Sequence, residues 1–121
     1  MKDNQAIAEK LEASVFAGDF DAVRAIIHPD FELRQAKRIP YAEEYRGYDG
    51  FMRFFANFTG WYDIATLDRT ATYFADDGTI VVEYHLVATA RSTGDKVDTT
   101  MLEKWEFRDG KVIGVTPHYF D

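Results

Sequence analysis

The 121-residue chain contains no cysteine, which removes disulfides, thiolate nucleophiles and cysteine-ligated metals from consideration. It has no Lys/Arg-rich stretch, and its formal charge is -7. Nucleic acid and anionic membrane surfaces both need a cationic footprint, so neither is an expected partner. The apolar runs fall far short of a membrane span, and Met1-Lys2-Asp3-Asn4-Gln5 does not open into the apolar region of a signal peptide. A cytoplasmic protein is expected. There is no G-x-S-x-G elbow, no glycine-rich phosphate loop and no Walker-type lysine, so serine-hydrolase and nucleotide-fold readings lack support. His28, His85 and His118 fall in three separate predicted elements without ligand spacing. Neither a metal nor a cofactor is expected.

What the chain has in excess is aromatic bulk, 16% of residues, with ten Phe and seven Tyr. Residues 1–121 are long enough for one domain with one core, and the surplus suits a cavity wall or an oligomer interface.

From Asn4 to Ala17, Ile7, Leu11, Ser14 and Val15 share one side at helical spacing, and Gly18 is a stop. Asp19 then caps a second helix carrying Phe20, Val23, Ile26 and Ile27 that ends at His28-Pro29, where His28 is a favourable charge against the helix dipole. Phe31 to Gln35 alternates as a strand with Phe31, Leu33 and Gln35 inward. Ala36 to Gly47 reads as an irregular loop, and Tyr41 within it as an aromatic lid. Phe51, Phe54, Phe55 and Phe58 follow i, i+3, i+4, i+7 on a third helix from Asp49.

Turn signals at Asp76-Asp77-Gly78, Thr93-Gly94-Asp95 and Asp109-Gly110 divide the remainder into an antiparallel meander. Ile80, Val82, Tyr84, Leu86, Ala88 and Ala90 are inward by period two, and so are Ile113, Val115, Pro117 and Tyr119 in the last strand. No single face emerges for Ile64 to Phe74. The predicted fold is α+β, a curved, mostly antiparallel sheet wrapped around three N-terminal helices.

One carboxylate interrupts an inward face. Val97, Thr99, Met101, Glu103, Trp105 and Phe107 alternate with mostly charged positions, so period two puts Glu103 on the covered side of its strand. An isolated buried carboxylate is costly; it finds a partner, raises its pKa or lines a wet cavity. Two readings stand: an acid that donates to, or exchanges a proton with, a ligand carbonyl, and a structural hydrogen bond to Gln35, a tyrosine or water. Gln35 orients a carbonyl or completes a cavity wall; Tyr84 and Tyr119 bring amphipathic rings inward.

Ala17-Gly18-Asp19-Phe20-Asp21, His28-Pro29-Asp30-Phe31, Tyr45-Arg46-Gly47-Tyr48-Asp49-Gly50-Phe51 and Trp105-Glu106-Phe107-Arg108-Asp109-Gly110-Lys111-Val112 together resemble the nuclear-transport-factor-two-like superfamily. The likeness is nearest to its SnoaL-like and ketosteroid-isomerase-like members and covers essentially the whole chain. It implies a cystatin-like cone, a fold that hosts isomerases, cyclases, dehydratases, epoxide hydrolases and binding modules. Carried over from ketosteroid isomerases, the enolate-donating tyrosine falls on Leu11, the general base on Gln35, and the protonated acid on Glu103. Only the last keeps its chemistry, so steroid isomerisation by that route is not expected.

The resulting expectation is a cone protein that binds a small hydrophobic carbonyl compound, with Glu103 as the catalytic residue of any cofactor-independent cyclase- or isomerase-type proton transfer. Gln35, Tyr41, Phe55, Tyr84, Trp105 and Tyr119 are the expected ligand-binding residues. The alternative is a non-catalytic binding or dimerisation module. Relatives imply a homodimer through the outer sheet face, where Val81, Val87 and Leu102 punctuate the charges.

Overall fold

The computed structural model describes residues 2–35 and 43–119. Helix α1 (Lys2–Ala17) buries Ala8, Leu11 and Ser14. Gly18 ends it at φ 71, a left-handed conformation that glycine adopts without a Cβ penalty. Asp19 Oδ1 accepts the Ala22 N–H at 3.2 Å and so caps α2 (Phe20–Ile26).

Helix α2 stops earlier than the sequence pattern suggested. Ile27 is already extended (φ -78, ψ 124) and opens strand β1 (Ile27–Leu33). Pro29 disfavours helical backbone at His28, so His28 lies in a strand and does not face a helix C-terminus. Its Nδ1 accepts the Asp30 N–H at 2.9 Å, and its Nε2 lies 3.5 Å from Asp109.

The segment expected to be wholly irregular contains β2 (Tyr45–Arg46), paired antiparallel with β1 through Leu33↔Tyr45. Tyr45 is fully buried, and Asn57 Nδ2 lies 3.0 Å from its hydroxyl. Helix α3 (Gly47–Trp61) follows at once. Gly50 lets it lie against β2, since a Cβ there would sit 2.6 Å from the Tyr45 carbonyl carbon.

Strands β3 (Tyr62–Phe74), β4 (Ile80–Ala90), β5 (Lys96–Arg108) and β6 (Lys111–Tyr119) form the expected antiparallel meander. The sheet order is β2-β1-β6-β5-β4-β3, with β1 parallel to β6. Three helices and this curved sheet make the α+β cone. Its concave face carries the core: Phe31, Ile80, Val82, Val112 and Trp105 pack with Ala8, Leu11 and Val23.

Two irregularities explain where parity failed. In β6 a bulge separates Glu106↔Gly114 from Phe107↔Val112, leaving Ile113 as the extra residue. Val112 is therefore fully buried and Ile113 is not, contrary to the inward assignment, whereas Val115 and Pro117 are buried as expected. In β3 the register shifts twice, between Ile64 and Thr66 and between Arg69 and Ala71, so no single alternation runs its length.

Candidate ligand pocket

Adjacent strands bring three polar side chains together on the concave face. Arg69 on β3 is the cross-strand partner of Tyr84 on β4, and Glu103 on β5 pairs with Val82, two residues along β4 on Tyr84's face. Helix α1 adds Glu12 from above. Arg69 Nη2 donates to Glu12 Oε1 at 2.7 Å, and the Tyr84 hydroxyl donates to the same oxygen. Trp105 Nε1 donates to Glu103 Oε1 at 3.3 Å.

These groups border a cavity of about 440 Å³. Its wall is otherwise largely apolar: Leu11, Leu33, Leu67, Met101 and Val115, with Phe51, Phe54, Phe55 and Phe58 of α3 along one side. The helical phenylalanine stripe is thus both packing and wall; Phe54 and Phe58 stack at 5.9 Å between centroids. The aromatic side chains do not fill the interior, and open volume remains beside Glu103. The exposed lining residues Phe16, at 70% exposure, and Arg91 mark its mouth.

The two carboxylates have different surroundings. Glu12 is held in an ion pair by Arg69. Glu103 is not, and its carboxyl is pushed up from 4.5 to about 7, first by burial and then by the nearby charge of Glu12. The Trp105 hydrogen bond, the neighbouring Tyr84 hydroxyl and the charge of Arg69 oppose that rise without cancelling it. Burial, followed by the charges of Glu103 and Glu12, also holds the Tyr84 phenol well above its ordinary value. Near neutral pH the site offers an acid balanced between its two protonation states beside a phenol that keeps its proton. That combination can hydrogen-bond a carbonyl oxygen and exchange a proton with a neighbouring carbon.

Of the residues singled out from sequence, Glu103, Phe55, Tyr84, Trp105 and Tyr119 lie together in the lining. Gln35 follows the end of β1, outside that lining; its side-chain amide is buried with no hydrogen-bond partner among the described residues. Tyr41 lies outside the described residues. Sequence reading passed over Glu12 and Arg69. Glu12 sits on the flank of the Leu11 stripe, where a charge ordinarily meets solvent, and Arg69 was hidden by the β3 register shifts. Leu11 is 1% exposed and lines the cavity without a polar group, and the phenol beside Glu103 comes from β4 instead of α1.

Fold and pocket together define a cone with an acid in an apolar interior. Residues 8–115 match the SnoaL-like domain, and the chain belongs to that family. Solved structures agree on the fold. An NTF2-like protein from Burkholderia xenovorans LB400 superposes with a TM-score of 0.86 at 17% identity, over 99% of this chain and 91% of that one. TerC, crystallised with polyporic acid, gives 0.80 at 18% identity, over 98% and 92%. A provisionally named polyketide cyclase from Xanthomonas campestris gives 0.73 at 17%, over 98% and 91%. At such identities the likeness concerns the fold. No curated protein matches the chain in sequence.

Proposed function

We propose that the cavity binds a small hydrophobic carbonyl compound and that Glu103 exchanges a proton with it, in a cofactor-independent reaction of the aldol-cyclase or isomerase type. The observation that carries this reading is the position of Glu103: a carboxyl pushed up to about 7 in the wall of an apolar cavity, next to Tyr84 and Trp105. A group that titrates near the working pH serves as acid and base in one cycle with little driving force lost in either direction. The apolar wall suits a hydrocarbon or aromatic skeleton, and the structural neighbour TerC was crystallised with polyporic acid.

The test is Glu103→Gln, assayed by ligand-dependent thermal shift and turnover across a panel of aromatic and terpenoid ketones. Binding is expected to survive within a few-fold, because an amide still accepts from Trp105, while turnover is lost. Turnover unchanged by the substitution would refute Glu103 as the proton carrier, and ligand binding with no turnover in the wild type would leave a binding module without chemistry.

The outer sheet face favours self-association as a second feature of this reading. Leu102 is 36% exposed and Tyr73 is 53% exposed, on the side of the sheet away from the helices. We infer a homodimer through this face. Sedimentation of the wild type against Leu102→Lys tests it; identical monomer masses for both would refute it.

A further inference from the structure

Arg91 stands at the mouth of the cavity, just past the end of β4. Two hydrogen bonds fix it to the end of α3: its backbone N–H donates to the Trp61 carbonyl at 3.0 Å, and its Nε donates to the Thr59 carbonyl at 3.0 Å. The terminal nitrogens of the guanidinium are left over, with no partner among the described residues. Among the described residues, Arg91 is the only cation of the lining that lacks a carboxylate partner; Arg69 is taken by Glu12. Asp63 also contributes to the mouth, and among the described residues no hydrogen bond or ion pair joins it to Arg91.

A guanidinium anchored through Nε presents its two terminal nitrogens as a fork, the geometry that matches a carboxylate. Because the anchors already hold the side chain, little rotamer freedom remains to be lost on binding. Arg91 lies seven positions along the chain from Tyr84, roughly 23 Å of extended backbone at about 3.3 Å per residue. Side chains on a strand stand roughly perpendicular to the sheet, so they shorten that interval only in part. A ligand that touches both ends must therefore be elongated.

We propose that Arg91 forms an anion subsite, so that the ligand is an elongated hydrophobic carbonyl compound with a carboxylate at the end remote from Glu103. This rests on the reading of the cavity as a carbonyl-binding site and adds the second recognition element. The field of a chain with formal charge -7 disfavours any anion, so a preference for one is the mark of a local cation.

The experiment uses 4′-acetylbiphenyl-4-carboxylic acid and its methyl ester, titrated at pH 8 by calorimetry against the wild type, Arg91→Gln and Arg91→Lys. The acid should bind the wild type about two- to fivefold more tightly than the ester, the range of a partly exposed charge pair. Arg91→Gln should erase that preference by weakening only the acid, and Arg91→Lys should keep part of it. Equal binding of acid and ester by the wild type, or equal weakening of both in Arg91→Gln, overturns the subsite and leaves the carbonyl reading intact. Binding of neither compound overturns both.

Discussion

Replacing Glu103 by glutamine should stabilise the protein, and the gain should grow with pH. In the unfolded chain the carboxyl titrates near 4.5, and in the folded protein near 7. Between those values the folded state holds a proton that the unfolded state has released, so stability falls as pH rises. Below pH 4.5 both states are protonated and the penalty vanishes; above pH 7 both are ionised and it is complete. At about 1.4 kcal/mol per pH unit, an interval of this size corresponds to roughly 3 kcal/mol. Glutamine has nearly the same shape, accepts from Trp105 and never ionises. Its neutral oxygen is a weaker acceptor than a carboxylate for the Trp105 N–H, which trims the gain to about 2–3 kcal/mol. Urea denaturation of both proteins from pH 4 to pH 8.5 should therefore give nearly equal stabilities at the acid end, a difference that opens between pH 4.5 and pH 7, and a constant difference above that. Taking the difference cancels every other titrating group. A difference that does not change with pH, or that favours the wild type at pH 8, would refute a raised Glu103.

Two further outcomes follow from the packing. Glu12→Gln removes the charge that, after burial, does most to raise Glu103, and it frees Arg69, whose charge already opposes the rise; both changes act in one direction. Carbon-detected NMR titration should show the Glu103 carboxyl moving down, and an unmoved midpoint would mean that burial alone sets it. Gly50→Ala should destabilise the fold by about 1–3 kcal/mol, as overpacking does, because its Cβ would meet backbone of Tyr45 at 2.6 Å, where no side chain can turn aside. Thermal melts read this directly, and an unchanged midpoint would mean that α3 shifts away from β2 at no cost.

The sequence revealed those parts of the structure in which periodicity runs unbroken. In β4 the residues Ile80, Val82, Tyr84, Leu86 and Ala88 alternate without interruption and all are buried, and Glu103 stood out in β5 because the alternation around it is equally clean. Where a bulge adds a residue, period two points to the wrong one: Ile113 satisfies the pattern in β6, yet Val112 fills the core. The same effect concealed Arg69, since its inward direction depends on two register shifts that leave no mark in composition. Glu12 was missed for a different reason. A charged residue on the flank of a helical stripe is ordinarily solvated, and only the placement of α1 over β3 and β4 turns that flank toward Tyr84. The sequence could therefore identify an acid that needed explaining, but not the partners that explain it. Those partners sit two or more elements away, and their approach depends on how strongly the sheet curls. The difference has a chemical consequence. Viewed alone, Glu103 is a carboxyl raised by burial, whereas beside Glu12, which Arg69 and Tyr84 hold in place, it is raised further by a fixed neighbouring charge and its proton is free to move near neutral pH.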